Sequence, residues 1–184
     1  MPIDKTRKIK ITKSETSQTF NLKDLLGRTP TSEEKQAFAD AAINRIIDRT
    51  LDGKTINNTK FKRYSKEYAD LKGVTRDSVD MFLSGSMLES IDELSTRGNT
   101  VKIGIDGGED ALKSYNHNIG DTVPKRQYFG LSKKETREIA KDIKSASRSL
   151  LGSLTKPLNE REQKSFTIKE LQRQIDELDI DFEI

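Results

Sequence analysis

The first of two long stretches with apolar residues at helical spacing lies between residues 31 and 51. It opens with Thr31 or Ser32, either of which suits a helix N-cap, and acidic residues follow in the first turn. Two adjacent ridges then form one apolar stripe, made of Phe38, Ala39, Ala42, Ile43, Ile46 and Ile47. Because Asp52-Gly53 is a typical stop signal, the pattern predicts an amphipathic helix that ends there.

The second stretch begins at Ser132, which has Glu135 three residues later, in the spacing of a capping box. The apolar side chains that this helix is expected to bury are Ile139, Ile143, Ala146 and Leu150. We expect the helix to end near Gly152. The sequence therefore predicts two long amphipathic helices.

Strand patterns occur in two parts of the chain. Arg7–Thr12 alternates basic and apolar residues with a period of two, and Thr19–Leu22 is a candidate partner strand in a hairpin. The alternative for this N-terminal part is a flexible basic arm that becomes ordered only on binding. Met87–Ile91 and Thr100–Ile105 are also predicted to be strands, joined by a reversal at Arg97–Asn99. Antiparallel pairing is the expected result.

Three shorter segments complete the predicted elements. A short helix is expected at residues 64–73, and a second at Glu109–Ile119, which ends at Gly120. The first of these helices places three apolar side chains on one face, namely Tyr64, Tyr68 and Leu71. Asp121–Arg126 is predicted to be extended, because a proline disfavours helix at the residue before it.

These elements together predict an α+β fold, in which a small antiparallel sheet packs against two long amphipathic helices. We divide the chain into an N-terminal strand or arm (1–30), a core domain (31–155) and an acidic C-terminal helical extension (156–184). The extension carries apolar residues at helical spacing that need something to cover them, namely Phe166, Ile168, Leu171, Ile175 and Leu178.

Composition excludes several classes of protein. Only 32% of the 184 residues are hydrophobic, so at least one segment is expected to be solvated or to be buried against a partner. Without cysteine, the chain has no disulfide framework, zinc–thiolate site or cysteine nucleophile. No apolar run is long enough to span a membrane, and no apolar signal core follows the basic residues near the N-terminus. The default class is a soluble cytoplasmic protein.

Charge is distributed unevenly between the two ends of the chain. Residues 1–13 carry a net charge of +4, whereas residues 174–184 carry −5 and no basic residue. Such polarity is typical of a solubilising tail, and it is also typical of an interaction between neighbouring molecules. The net charge of the whole chain is only +3.

His117 is the only histidine, so it is the only side chain that ordinarily titrates near neutral pH. A catalytic role would need a nucleophile or acid nearby, and Ser114, Tyr115 and Asp121 are the candidates close in sequence. A structural or interface histidine is the favoured interpretation, and a hydrolase that uses His117 is the alternative. Residues 104–108 are glycine-rich but lack the spacing of a phosphate-binding loop.

A basic series runs along one face of the second long helix, at spacings of three and four residues. Its members are Lys134, Arg137, Lys141, Lys144 and Arg148. One interpretation is a solvated helix surface; the other is a surface that faces phosphates or an acidic protein. The second interpretation yields an alternative function, a small DNA-binding module that uses residues 133–148.

Five short motifs follow one another in order between Tyr64 and Ser132. They are Tyr64-Ser65-x-x-Tyr68-Ala69-x-x-Lys72-Gly73, Leu83-Ser84-Gly85-x-Met87-Leu88-x-Ser90-Ile91, Thr100-Val101-x-Ile103-Gly104-Ile105, His117-Asn118-x-Gly120 and Val123-Pro124-x-Arg126-x-Tyr128-Phe129-Gly130-Leu131-Ser132. In this order the motifs resemble those of the tail-completion, or virion-morphogenesis, proteins of tailed bacteriophages. The resemblance covers somewhat over a third of the chain. The chain departs from the family at Lys113–Asn116, where a Tyr-Ala start is usual, and in about 28 residues after Lys156.

The resemblance implies a structural subunit that assembles into a ring, usually sixfold, at the junction of phage head and tail. Such a ring finishes the tail tube or joins it to the neck, and DNA passes through its lumen as cargo. The implied partners are further copies of the chain and neighbouring neck, connector, tail tube or tail terminator proteins. No catalysed reaction, cofactor or membrane is implied, and the implied location is the virion, after assembly in the host cytoplasm.

Two groups of residues are candidates for contacts in such a ring. Candidates for the interface between subunits are Tyr115, His117, Pro124, Arg126 and Phe129. Candidates that face the lumen and its DNA are Lys134, Arg137, Lys141 and Lys144. Gly120–Gly130 is expected to be a rigid extended loop in which Phe129 anchors a neighbour. The alternative is that this loop packs on its own domain, with Phe129 in the core.

Overall fold

A computed structural model describes residues 7–81 and 85–155 of the chain. The described residues up to Lys144 belong to one compact unit, and those from Ser145 belong to a second. The predicted α+β class is confirmed, because a four-stranded antiparallel sheet packs with helices in this part of the chain. The predicted acidic helical extension at 156–184 lies outside the described residues.

The described residues form four strands and six helices. The strands are β1 (Arg7–Ile11), β2 (Glu15–Asn21), β3 (Asp92–Arg97) and β4 (Thr100–Asp106). The helices are α1 (Leu22–Leu26), α2 (Ser32–Leu51), α3 (Lys66–Lys72), α4 (Ser86–Glu89), α5 (Gly108–Ile119) and α6 (Lys133–Thr155).

The sheet has the order β1-β2-β4-β3, and every neighbouring pair is antiparallel. The predicted N-terminal hairpin is confirmed as β1 and β2, although β2 begins at Glu15 rather than at Thr19. Since β2 is an interior strand and Phe20 and Leu22 are fully buried, residues 7–30 pack in the same compact unit as the described residues up to Lys144. These residues complete the core, because β2 supplies the partner that β4 needs on its inner side.

One face of the sheet is apolar and covered by helices. Phe20 on β2 lies opposite Val101 on β4, and Ile103 and Ile105 follow on the same face of β4. The ring of Phe38 on α2 meets Phe20 edge-on, with 5.0 Å between ring centroids. The opposite face carries polar side chains, of which Glu15 and Ser17 on β2 are buried while Lys8 and Lys10 on β1 are exposed. A polar outer face is usual for an antiparallel sheet with one solvated side.

The two long helices begin where the sequence predicts. Thr31 and Glu34 form a capping box at the start of α2, in which each side chain accepts a hydrogen bond from the other residue's backbone N–H. Ser132 and Glu135 do the same at the start of α6. α2 ends before Asp52-Gly53, as expected. α6 continues beyond Gly152 to Thr155.

Two local predictions are wrong. Met87–Ile91 is not a strand: α4 forms there, after Gly85 with φ of 87°, and β3 begins only at Asp92. Both Met87 and Leu88 are buried, which suits a helical turn inside the core and not a strand that alternates between two faces. On the predicted apolar face of α3, Tyr64 is buried and Tyr68 is half-buried, whereas Leu71 is 82% exposed. Ala146 is also exposed.

No helix among residues 7–81 and 85–155 is long and apolar enough to cross a membrane.

Candidate functional site

The segment Arg126–Leu131 crosses the protein interior without regular secondary structure, so its backbone polar groups need partners other than a helix or sheet. Two buried side-chain amides from distant elements supply some of these hydrogen-bond partners. Gln18 of β2 accepts a hydrogen bond from the Leu131 N–H at 2.7 Å and donates one to the Leu131 carbonyl at 3.3 Å. Asn118 of α5 accepts one from the Phe129 N–H at 3.1 Å.

Arg49 of α2 is the third support of this segment, and its side chain is 6% exposed. Its guanidinium donates hydrogen bonds to the carbonyls of Tyr128 at 2.6 Å and Gly130 at 2.8 Å, and to Glu135 at 2.6 Å. Burial acts to raise the pKa of Glu135, but hydrogen bonds from Ser132 and the Arg49 charge outweigh it and leave that pKa below its ordinary value. Arg49 therefore joins α2, the buried segment and the start of α6.

This burial corrects the expectation that Phe129 anchors a neighbouring subunit. Phe129 is fully buried and packs edge-on against Tyr128, at 6.3 Å between ring centroids. Arg126 is only 4% exposed, so a neighbour could reach its side chain only through the cleft that it lines. The alternative, in which the loop packs on its own domain with Phe129 in the core, is the arrangement that the structure has.

A half-open cleft of about 370 Å³ lies beside this segment. It is bounded by α3, the start of α4, the last turns of α5 and residues 123–126. Most of the side chains that line it are apolar or aromatic. The lining residues are Tyr64, Ser65, Tyr68, Met81, Gly85, Ser86, Met87, Lys113, His117, Val123, Pro124 and Arg126.

Tyr64 lines the cleft and lies close to two cations. The Arg126 guanidinium is 5.1 Å from the centroid of its ring, and the Lys72 ammonium is 5.2 Å away. The Tyr64 hydroxyl accepts a hydrogen bond from the Met81 N–H at 3.2 Å and donates one to Asp80 at 3.3 Å. Asp80 also forms an ion pair with Lys72. Burial raises the pKa of Tyr64, so this side chain stays protonated.

Arg126 is held mainly by backbone groups. Its Nε donates to the carbonyl of Lys62 at 3.1 Å and its Nη2 to that of Arg63 at 3.4 Å. Burial lowers the pKa of Arg126 from its ordinary value of 12.5. An arginine in a protein nevertheless keeps its charge at neutral pH. The ion pairs found within the described ranges do not include Arg126. The lining of the cleft therefore includes a buried positive charge.

His117, at the last turns of α5, lines the same cleft. Its Nδ1 is buried and finds no hydrogen-bond partner among the residues that the structure describes. Burial, aided by the positive charge of Arg126, lowers the pKa of His117 from 6.5 to about 4. The imidazole is therefore neutral at physiological pH, and its Nδ1 is a hydrogen-bond group that faces no protein partner.

The five interface candidates separate into two groups. His117, Pro124 and Arg126 meet at the cleft, where Pro124 is exposed. Tyr115 and Phe129 do not line it: Tyr115 is half-buried, with the Lys13 ammonium 5.7 Å from its ring centroid, and Phe129 belongs to the core. Three of the five candidates are thus part of one site.

The four candidates for contact with DNA lie along α6. Lys134, Arg137 and Lys141 are exposed and Lys144 is half-buried. Lys134 lies 3.9 Å from Glu138, an ion pair of little strength at 86% side-chain exposure. On the other side of this helix, Ile139 and Ala140 are buried. α6 therefore presents a basic face opposite its apolar one, as the sequence predicts.

Sequence analysis missed the residues that shape the site from a distance. Gln18 and Arg49 are polar residues on otherwise apolar faces, and their only local signal is that interruption of the pattern. Asn118 belongs to the fourth motif, which assigned no role to it. Tyr64 was assigned to an apolar helix face, with no indication of its two cationic neighbours. No group of acidic, histidine or cysteine side chains in residues 7–81 and 85–155 is arranged to hold a metal ion.

The fold and the cleft define an α+β protein with a mostly apolar cleft, lined also by Arg126, between helices and a loop. Comparison with protein-family models, with curated proteins and with solved structures found no match.

Proposed function

We propose that this chain is a structural subunit that assembles into a ring at the head–tail junction of a tailed bacteriophage. In this function it joins the tail tube to the connector, and DNA passes through the lumen of the ring. The proposal comes from the ordered motifs between Tyr64 and Ser132 and from the family that they resemble. Its partners are further copies of the chain and the neighbouring neck and tail proteins.

One observation supports the proposal most directly: residues from four of the five motifs meet at one cleft. The motifs are separated in sequence, yet each of the four contributes to the lining. The contributing residues are Tyr64, Ser65 and Tyr68 from the first motif, Gly85 and Met87 from the second, His117 from the fourth, and Val123, Pro124 and Arg126 from the fifth. The third motif is β4, a central strand of the sheet. This convergence favours one shared site, which we assign to contact with a neighbouring virion protein.

The state of His117 favours binding over catalysis. A general base is most effective with a pKa near the working pH, whereas the pKa of His117 is lowered to about 4. The lining serines, Ser65 and Ser86, are engaged elsewhere: Ser65 caps α3, and Ser86 donates to Asp110 at 3.2 Å. The arrangement is better suited to hold a partner side chain than to activate a nucleophile.

Purified virions of the phage that encodes this chain provide the test. We expect gold-labelled antibodies to the chain to mark the neck in electron micrographs, and mass spectrometry to detect the chain in mature particles. Particles that assemble without the chain are expected to have heads and tails that fail to join. Absence of the chain from mature particles would contradict the proposal.

The exposed basic face of α6 favours a second candidate, a DNA-binding module. In that case, binding to duplex DNA falls steeply with salt, and changing Arg137 and Lys141 to Ala weakens it. Lys60→Ala with Lys62→Ala is the matched control, because these two lysines are also exposed but lie in the loop before α3. Fluorescence anisotropy across a salt series measures both variants; equal losses in the two would refute a specific role for α6.

A further inference from the structure

The strand β1 forms one edge of the sheet, and its far side is unpaired within the described residues. The strand alternates basic and apolar side chains: Lys8 and Lys10 lie on the solvated face, while Ile9 and Ile11 lie on the core side. Lys8 and Lys10 are exposed, and Ile9 is 37% exposed although it belongs to the core side. An edge of this kind can accept another strand through its free backbone groups.

The last seven residues of the chain have the complementary pattern. Residues 178–184, Leu-Asp-Ile-Asp-Phe-Glu-Ile, alternate apolar and acidic side chains with a period of two. They contain no basic residue, whereas β1 contains no acidic one. Residues 180–183 therefore match Lys8–Ile11 in both the apolar and the charged positions.

We propose that residues 178–184 of one copy of the chain add as a fifth strand to the β1 edge of a second copy. An antiparallel alignment that places Phe182 opposite Ile9 also places Glu183 opposite Lys8 and Asp181 opposite Lys10. Opposite charges directly across two strands stabilise the pair, and so do apolar residues on the core side. Each copy offers one acidic strand and one basic edge, so the contact is head-to-tail. Only the closure of such contacts into a ring rests on the proposed function.

The charges on β1 also favour residues 178–184 over β1 of a second copy as the strand that pairs with this edge. If β1 paired with β1 of a second copy, lysines would face lysines or lie diagonal to them, which is unfavourable. Lysines on an edge strand commonly prevent such self-pairing. Lys10 already contacts Glu15 at 2.6 Å, but Glu15 keeps Lys102 at 2.7 Å and the Ser17 hydroxyl when Lys10 is shared with an incoming carboxylate. Glu15 therefore keeps two partners when the positive charges of β1 are neutralised.

Engineered cysteines test the contact cleanly, because the chain contains no cysteine of its own. Residues directly opposite in an antiparallel pair are close enough for a disulfide. We expect Ile9→Cys with Phe182→Cys to form a ladder of covalent dimers and larger species under mild oxidation of the full chain. Leu112→Cys with Phe182→Cys is the matched control, because Leu112 is similarly exposed, at 41%, but lies on α5. A ladder of equal yield in the control would overturn the proposal.

Charge exchange gives a second, independent measurement in the same cysteine variant. Adding Lys8→Glu and Lys10→Glu reverses two attractive pairs and is expected to slow cross-linking about tenfold. Adding Asp181→Lys and Glu183→Lys to that variant is expected to restore the rate of cross-linking. The control, Asp176→Lys with Glu177→Lys, makes the same charge change outside the alternating segment and is not expected to restore it. Circular dichroism of each variant confirms that it is folded. Failure of the exchange to restore cross-linking would overturn the proposal.

Three further outcomes identify the source of the strand and separate this proposal from the function on which ring closure rests. A disulfide formed within a single chain, visible as a monomer of altered mobility, would show that the strand does not come from a second copy. Rings at the virion neck without cross-linking would refute the strand exchange and leave the head–tail function standing. Cross-linked chains that are absent from virions would refute the head–tail function alone.

Discussion

Replacing Arg49 by Met tests how the buried segment Arg126–Leu131 is held. The variant keeps most of the side-chain volume but removes all three hydrogen bonds of the guanidinium. It leaves the carbonyls of Tyr128 and Gly130 without these donors, and it leaves Glu135, whose side chain is 14% exposed, without its cation. Breaking a buried ion pair in this way typically costs about 3–5 kcal/mol. We therefore expect the free energy of unfolding to fall by about 4 kcal/mol.

Urea unfolding followed by circular dichroism at neutral pH measures this loss. With a denaturant slope of about 2 kcal/mol/M, the expected midpoint shift is about 2 M. Arg45→Met is the matched control on the same helix, because Arg45 reaches Glu138 of α6 at 3.8 Å with both side chains more than 40% exposed. That surface pair is expected to contribute less than about 1 kcal/mol. Equal, small losses for Arg45→Met and Arg49→Met would refute the assignment of Arg49 as a support of the segment.

Two other predictions concern the cleft and the sheet. Because the folded protein keeps His117 neutral down to about pH 4 while the unfolded chain binds a proton below about pH 6.5, stability falls as the pH drops through this window, by about 3 kcal/mol in all. His117→Gln is expected to remove that part of the pH dependence in urea unfolding between pH 4 and 7; an unchanged dependence would contradict the burial of the imidazole. Gly104→Ala places a Cβ 2.2 Å from the Thr16 carbonyl oxygen, so a loss of about 1–3 kcal/mol or more is expected. A melting temperature equal to that of the wild type would show that β2 and β4 separate without cost at this position.

The elements predicted correctly from the sequence are those with strong local signals. α2 and the start of α6 combine a helical apolar period with a capping box, and both signals span only a few residues. The β1–β2 hairpin follows from a period of two, although the polar residues of β2 hid its true start at Glu15. The segment Met87–Ile91 was assigned wrongly because a short apolar run fits a strand and a buried helical turn equally well.

The candidate site could be predicted only in part, because its geometry comes from contacts that are distant in sequence. His117, Pro124 and Arg126 were identified from the motifs, but the direction of the Arg126 side chain was not. The inward path of Arg126–Leu131 depends on Gln18, which lies 113 residues before Leu131. It also depends on Arg49, which lies 81 residues before Gly130. No pattern within residues 126–131 themselves indicates these partners.

The order of strands also constrains how the chain acquires its structure. Asn21 at the end of β2 pairs with Thr100 at the start of β4, 79 residues later, whereas both hairpins are local. Closing so long a loop is entropically costly and slows folding in general. During synthesis, the apolar face of β2 therefore has no strand partner on its inner side until β4 has left the ribosome. We conclude that the N-terminal hairpin lacks its inner strand partner until more than half of the chain has been synthesised. In this interval a chaperone could bind the exposed apolar face of β2, and a chain terminated early would never cover it.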